Sequence, residues 1–239
     1  MGDRILHRMD RGGRMNKRVS KIDISKNEFQ KRIHSMAGKY SAYEIYMDWI
    51  ESAALATQNT LSLFHDKNWL AREEKYFNIM KKYTHEERIE LIEMLSYFVE
   101  ELENNPRDVL GEAFMSGGMG ADSAGQFFTP YHISQSMAEL SLQNYNGGVI
   151  KINEPSCGSG GSIIALAMKL KEKGIDYQKV MKVVAQDLDW KCVYMCYLQL
   201  SYLGIDAICV QGNTLIEPFS KGYPEERVLR TPRNVGALL

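Results

Sequence analysis

The sequence predicts an α/β protein, a helical region followed by a partial, doubly wound half-sheet. Three observations carry this. Capped helical stretches fill residues 22–115 with no clear strand signal. Six of the ten residues Ser116–Gly125 are Gly or Ala, a break with little to bury. From Gly148 onward short apolar strands alternate with helices that stop at glycine, the pattern of a parallel sheet with crossover helices. The expected division is a basic arm at 1–21, a helical region at 22–115, a linker at 116–124 and a ligand-binding domain at 125–239.

Composition narrows the class. Of 239 residues, 44% are hydrophobic and 25% charged, which excludes disorder, collagen and a disulfide scaffold. No stretch approaches the roughly 20 apolar residues that cross a bilayer, and the basic N-terminus has no apolar signal core. The four cysteines fit a reducing cytoplasm. Cys192 and Cys196 read as packed thiols, with no metal expected. Net charge is −1, but residues 1–21 carry seven basic against two acidic residues, +5, leaving −6 for the rest. Such an arm attracts nucleic acid phosphate, or is a solvated terminus.

Capping boxes mark three helix starts, Ser25–Glu28, Ser41–Glu44 and Thr84–Glu87. After Thr84, Ile89, Ile92, Leu95, Phe98 and Leu102 recur at helical spacing and predict the inner face. Pro106 ends that helix near Asn104. Its many glutamates read as a solvated face. Trp49, Trp69, Tyr43, Tyr46 and Phe77 are the expected core aromatics.

In the second half, Val149–Ile152 is the first strand, and a glycine-rich turn, Ser156–Gly161, leads into a helix from Ser162 to about Lys173. Lys182–Gln186 is the second strand and ends in Asp187. A helix from about Trp190 to Leu203 follows. Ala207–Gln211 is the third strand and ends at Gly212-Asn213. Glu225–Arg230 offers one more strand. An outer strand of such a sheet is an open edge that invites pairing. Phe219–Leu239, the helical region or a partner subunit is expected to cover it.

Ligands of doubly wound sheets sit beyond the carboxyl ends of the strands. Glu154, the glycine turn, Asp187 and Asn213 all fall there. Glycines let backbone approach a ligand, and the next helix offers free amides. An acid after the second strand accepts from ribose hydroxyls, and a polar side chain after the third reaches an adenine edge. This reads as a nucleoside-containing cofactor, either a dinucleotide or S-adenosylmethionine. The turn lacks the G-x-G-x-x-G order, and Glu154 directly before it suits a cationic ligand better than a pyrophosphate, which favours S-adenosylmethionine.

Gly125-Gln-Phe-Phe-Thr-Pro130 followed by Asn153-Glu-Pro-Ser-Cys-Gly-Ser-Gly-Gly161 resembles the modification (M) subunit of type I restriction-modification systems and, more broadly, the adenine-N6 DNA methyltransferases. The resemblance covers about residues 108–217. It implies a truncated, Rossmann-like S-adenosylmethionine-dependent methyltransferase half-sheet. It implies that Phe128, Thr129 and Pro130 cap the cofactor. It also implies that Glu154, Pro155, Cys157, Gly158 and Gly160 line its methionine end and that Asp187 holds the ribose. The family's third strand commonly ends Gly-Asp; here Asn213 takes the Asp position.

The family's target-base motif, Asn or Asp, Pro, Pro, aromatic, is not found. Thr231-Pro-Arg-Asn-Val235 lacks the second proline and the aromatic. The catalytic residues are therefore unknown. The 21 residues after Pro218 are too few for four further strands, at roughly 30 residues per βαβ unit. Three readings follow: an S-adenosylmethionine-binding adenine-N6 methyltransferase-like protein, active alone or completed by another chain such as a completing or specificity subunit; a catalytically inactive cofactor- or DNA-binding regulator or decoy; and a residual fragment of a longer gene. DNA is the expected partner in the first, with no membrane in any of them.

Overall fold

The computed structural model describes residues 28–62, 64–116, 127–219 and 222–236. The basic arm, the helix start at Ser25 and the linker beyond Ser116 lie outside these residues.

Five helices open the described chain: α1 (Glu28–Met36), α2 (Ala42–Thr60), α3 (Lys67–Met80), α4 (His85–Asn104) and α5 (Val109–Ser116). The capping boxes at Ser41 and Thr84 form as expected, hydroxyl to N3 amide and glutamate to cap amide. Helix α4 stops two residues ahead of Pro106. Its buried face is Leu91, Met94, Phe98 and Leu102. Ile89 and Ile92 are exposed, against the expected phase. Phe98 and Leu102 are buried as expected and Leu95 is half-buried; the stripe is rotated only in the first turns, where Leu91 and Met94 face inward and the Leu91 carbonyl meets Trp49.

Trp49 centres this core. Its indole packs 4.6 Å from Phe29 and 5.7 Å from Phe98, and Nε1 donates to the Leu91 oxygen at 3.0 Å. Trp49→Ala is therefore expected to cost about 3–5 kcal/mol of stability, read as a lower urea midpoint with an unchanged slope. Tyr46 is buried and donates to the Leu110 oxygen at 2.6 Å. Tyr43 and Trp69 are only half-buried. Phe77 is 54% exposed and does not join the core. It lies one position off the inward stripe of α3, Trp69, Arg72, Tyr76 and Ile79, which is half-buried or buried.

The second half runs α6 (Tyr131–Ser141), β1 (Ile150–Glu154), α7 (Gly161–Glu172), α8 (Tyr177–Val180), β2 (Met181–Asp187), α9 (Trp190–Tyr202) and β3 (Ala207–Gln211). A 3-10 turn (Glu225–Arg227), β4 (Val228–Arg230) and α10 (Pro232–Gly236) follow. The sheet order is β1-β2-β3-β4. The first three strands are parallel, with Ile152 beside Val183 and Val183 beside Ala207. This is the expected half-sheet, a partial Rossmann-like arrangement. Gly174 and Gly204, with φ of +74° and +66°, follow α7 and α9 where glycine stops were expected.

β4 is antiparallel to β3, Cys209 opposite Leu229. The chain's own C-terminal segment thus covers the β3 edge, and α2 supports it, with the Arg230 amide donating to Gln58 Oε1 at 2.8 Å. Among the described residues no strand pairs with the outer edge of β1. Helix α9 packs on β2 and β3 and also against α2. It is therefore buried on all sides from Cys192 to Ser201, with the Cys192 and Cys196 thiols packed inside. One apolar cluster runs from Phe29 through α9 to Leu229. No helix among the described residues is long and apolar enough to cross a membrane.

Candidate cofactor site

The site begins where β1 ends. After Glu154 the chain turns sharply, and the turn is fastened to β2 twice. The Cys157 amide donates to the Gln186 oxygen at 2.9 Å, and the Gly158 amide donates to Asp187 Oδ2 at 2.9 Å. Two glycines make the turn possible. Gly158 has φ +52° and Gly160 φ +94°, a region costly for residues with a Cβ. Gly160 then starts α7 with no side-chain cap, leaving the first amides of that helix to other partners.

Phe128 lies directly on the turn, since a Cβ built on Gly158 would stand 3.1 Å from the ring. Behind it the ring meets Phe114 of α5 at 5.4 Å. Between the Phe127–Thr129 segment and the turn is a cavity of about 430 Å³. Phe128, Thr129, Cys157, Gly158 and Asp187, five of the ten residues expected from the sequence, line it. The other five do not line it. Pro130 starts α6. Glu154 ends β1 beside the turn, its Oε1 accepting from the Ser156 amide at 3.4 Å. The Pro155 oxygen accepts from Thr214 Oγ1 at 2.6 Å. Gly160 lies beneath, against Cys196 of α9. Asn213 spends its Oδ1 on the Leu215 amide at 3.0 Å.

The electrostatics favour a cation. Burial holds the Glu154 carboxyl above its ordinary range; the Ser156 amide opposes this shift and the nearby Asp187 charge adds to it. A positive group between the two carboxylates relieves that repulsion. Asp187 accepts from two amides, Gly158 and Asp189, and a carboxylate has about four acceptor positions, so two remain for a ligand. Burial pushes the Cys192 thiol up, with Asp187 adding to it, which favours the protonated thiol over the thiolate at the cavity wall.

Asp108, Ser134 and Ser159 also line the cavity. No motif marks Asp108 or Ser134. The available signal was for Asp108, an Asp directly before the helix-forming stretch Val109–Phe114, which is a helix-cap pattern.

A parallel half-sheet, a glycine turn bonded to the acid of the next strand and an aromatic ring over that turn are features by which doubly wound folds take nucleoside cofactors. The N-6 DNA methylase family matches residues 107–231, more than half of the chain, and the chain belongs to that family. No curated protein matches it. Among solved structures it is similar to a protein assigned as a class I S-adenosylmethionine-dependent methyltransferase from Listeria monocytogenes. That similarity has 12% identity and a TM-score of 0.37, over 69% of this chain and 51% of that one. It is also similar to the methyltransferase subunit of a type I restriction-modification system from Streptococcus thermophilus. There the values are 12% and 0.40, over 82% of this chain and 40% of that one. The chain thus spans about half or less of the length of these proteins.

Proposed function

We propose that this chain binds S-adenosylmethionine in the cavity at the ends of β1 and β2, as the cofactor-binding part of an adenine-N6 DNA methyltransferase of the restriction-modification kind. The observation that carries the reading is the convergence of Glu154, the Gly158 amide and Asp187 beside the Phe128 ring. Residues 125–239 form the cofactor part in this reading, and residues 22–115 support it. Phe128, Thr129 and Pro130 cap the ligand. Glu154, Pro155, Cys157, Gly158 and Gly160 line the methionine end, Asp187 takes the ribose hydroxyls, and Asn213 reaches the adenine edge.

When bound, the cofactor supplies an electrophilic methyl group on a sulfonium. The residues of this chain hold and orient it. Glu154 and Asp187 attract its positive charge, the turn lets backbone approach it, and the Phe127–Thr129 segment excludes water from one side. Fixing the donor in one place is a large share of what such a reaction needs. The acceptor side is assigned to a completing or specificity subunit, with duplex DNA as substrate and the cytoplasm as the compartment. A second reading is a catalytically silent cofactor- or DNA-binding regulator or decoy, which would hold the ligand through the same Glu154 and Asp187 carboxylates without transferring its methyl group.

Calorimetry with S-adenosylmethionine tests the pocket. Transfer of labelled methyl groups to adenine in duplex DNA, with and without a candidate partner chain, tests the reaction. Binding with transfer supports the first reading. Binding without transfer under any combination leaves the second, and no binding ends both as cofactor readings.

Affinity is also expected to depend on pH. A cationic ligand prefers the ionised Glu154, whose carboxyl is raised in the free protein. Affinity is therefore full above that raised value and is lost as pH falls through it. In a titration series Glu154→Gln should bind weakly at every pH and flatten the profile. An unchanged profile in that variant would remove Glu154 from the site.

A further inference from the structure

A buried carboxylate outside the sequence motifs reaches the glycine turn from the helical region. Asp108 is 4% exposed and caps α5, with Oδ1 accepting from the Gly111 amide at 2.9 Å. The same oxygen accepts from Gln199 Nε2 of α9 at 2.8 Å. Oδ2 accepts from Ser159 Oγ, inside the turn, at 2.5 Å. Gln199 is fully used as well. Its Nε2 also donates to the Ser159 backbone oxygen at 2.8 Å, and its Oε1 accepts from the Leu110 amide at 3.1 Å. Ser159 is thus held at both its side chain and its carbonyl.

The packing leaves little freedom. A Cβ on Gly111 would fall 2.2 Å from Asp108 Oδ2 and 2.4 Å from Ser159 Oγ, and one on Gly161 would fall 2.8 Å from Asp108 Oδ2. Two backbones therefore close directly on the carboxylate, and only glycine fits at either place. A charge this deeply buried is costly unless hydrogen bonds compensate it. Here three donors from three elements converge on it, which is what a positioning device requires and a surface cap does not.

We infer that Asp108 is a positioning residue. It locks Ser159 and Gln199 into one arrangement, and so holds the turn in the shape that faces the ligand. The inference rests on the cofactor reading for its consequence on binding, but the turn's rigidity is measurable without any ligand. Breaking the lock frees the turn, so the ligand must order it at the moment of binding.

The test uses the full chain and five variants: Asp108→Ala, Asp108→Asn, Ser159→Ala, the double variant Asp108→Ala/Ser159→Ala and, as a control in the core of the helical region, Leu102→Ala. Amide hydrogen exchange at 157–163 is followed without ligand, and S-adenosylmethionine affinity is measured by calorimetry. Asp108→Ala should speed exchange in the turn and weaken binding about 10-fold or more, the size expected when a hydrogen bond to a buried charge is lost. Ser159→Ala should do the same to a lesser degree. The double variant should be no worse than Asp108→Ala, because both remove one lock. Asp108→Asn should recover most of the affinity, since the Ser159 hydroxyl can turn to accept from the amide. Leu102→Ala should lower the melting temperature and leave the turn and the affinity alone.

Turn exchange in Asp108→Ala and Ser159→Ala no faster than in Leu102→Ala would overturn the inference. Should Asp108→Ala fail to fold, Ser159→Ala decides by itself, since it removes a single hydroxyl. If the unaltered protein binds no S-adenosylmethionine, the cofactor reading fails, and exchange at 157–163 still decides whether Asp108 holds the turn.

Discussion

Asp187→Ala is expected to weaken S-adenosylmethionine binding by about 10- to 100-fold, the range that follows from losing 1.5–3 kcal/mol of charge-assisted hydrogen bonding. The residue carries two duties. Its carboxylate accepts from the Gly158 amide at 2.9 Å and the Asp189 amide at 3.0 Å, so it fixes both the glycine turn and the start of α9. In the proposed complex its remaining lone pairs take the ribose hydroxyls. Ligand chemistry separates the two. S-adenosylhomocysteine and its 2′-deoxy counterpart should bind the unaltered protein with clearly different affinity, and Asp187→Ala with nearly the same affinity. Should the discrimination survive the substitution, Asp187 serves the turn alone and the ribose partner lies elsewhere. Asp187→Asn should fall between, because an amide accepts from one of the two backbone donors but presents an N–H to the other.

What the sequence shows and what it hides divide along the distance over which a feature is decided. The β1, β2 and β3 strands are legible because each is a short apolar run closed by turn residues, and the glycine turn because its residues are contiguous. The capping boxes at Ser41 and Thr84 depend on three-residue spacings and form as read. The rotation in the first turns of α4 is not legible. Ile89 and Ile92 fit the period as well as Leu91 and Met94 do, and only the approach of Trp49 decides between them. A strand near Glu225–Arg230 is readable as an apolar opportunity. Its antiparallel direction is not, since it depends on β3 and on Gln58, 172 residues away. Asp108 is hidden for the same reason, with its partners Ser159 and Gln199 at separations of 51 and 91 residues. No window on the sequence contains that cluster, yet it meets the most legible motif in the chain.

Gly160→Val is expected to destabilise the protein strongly. At φ +94° a residue with a Cβ pays about 1–2 kcal/mol, and a β-branched side chain is the worst case. The new Cβ would also stand 3.1 Å from Cys196 Sγ and 3.4 Å from Cys196 Cα. The second contact is with the backbone of α9, which is buried between the sheet and α2 and has nowhere to move. Overpacking of that kind adds about 1–3 kcal/mol. The two costs together approach the lower end of the 5–15 kcal/mol that holds a typical domain together, so the variant should be largely unfolded in mild urea. Gly160→Ala combined with Cys196→Ala relieves the sulfur contact but not the backbone conformation, and should recover only part of the loss. Gly158→Ala makes the contrast. Its φ of +52° is in the ordinary left-handed range, and its Cβ would meet the Phe128 ring at 3.1 Å, a half-buried side chain that can shift. That variant should stay folded and lose ligand affinity instead, because the ring it displaces closes the cavity. A melting temperature unchanged in Gly160→Val would mean that the turn does not press on α9, and the support given to the cavity from below would have to be sought in another element.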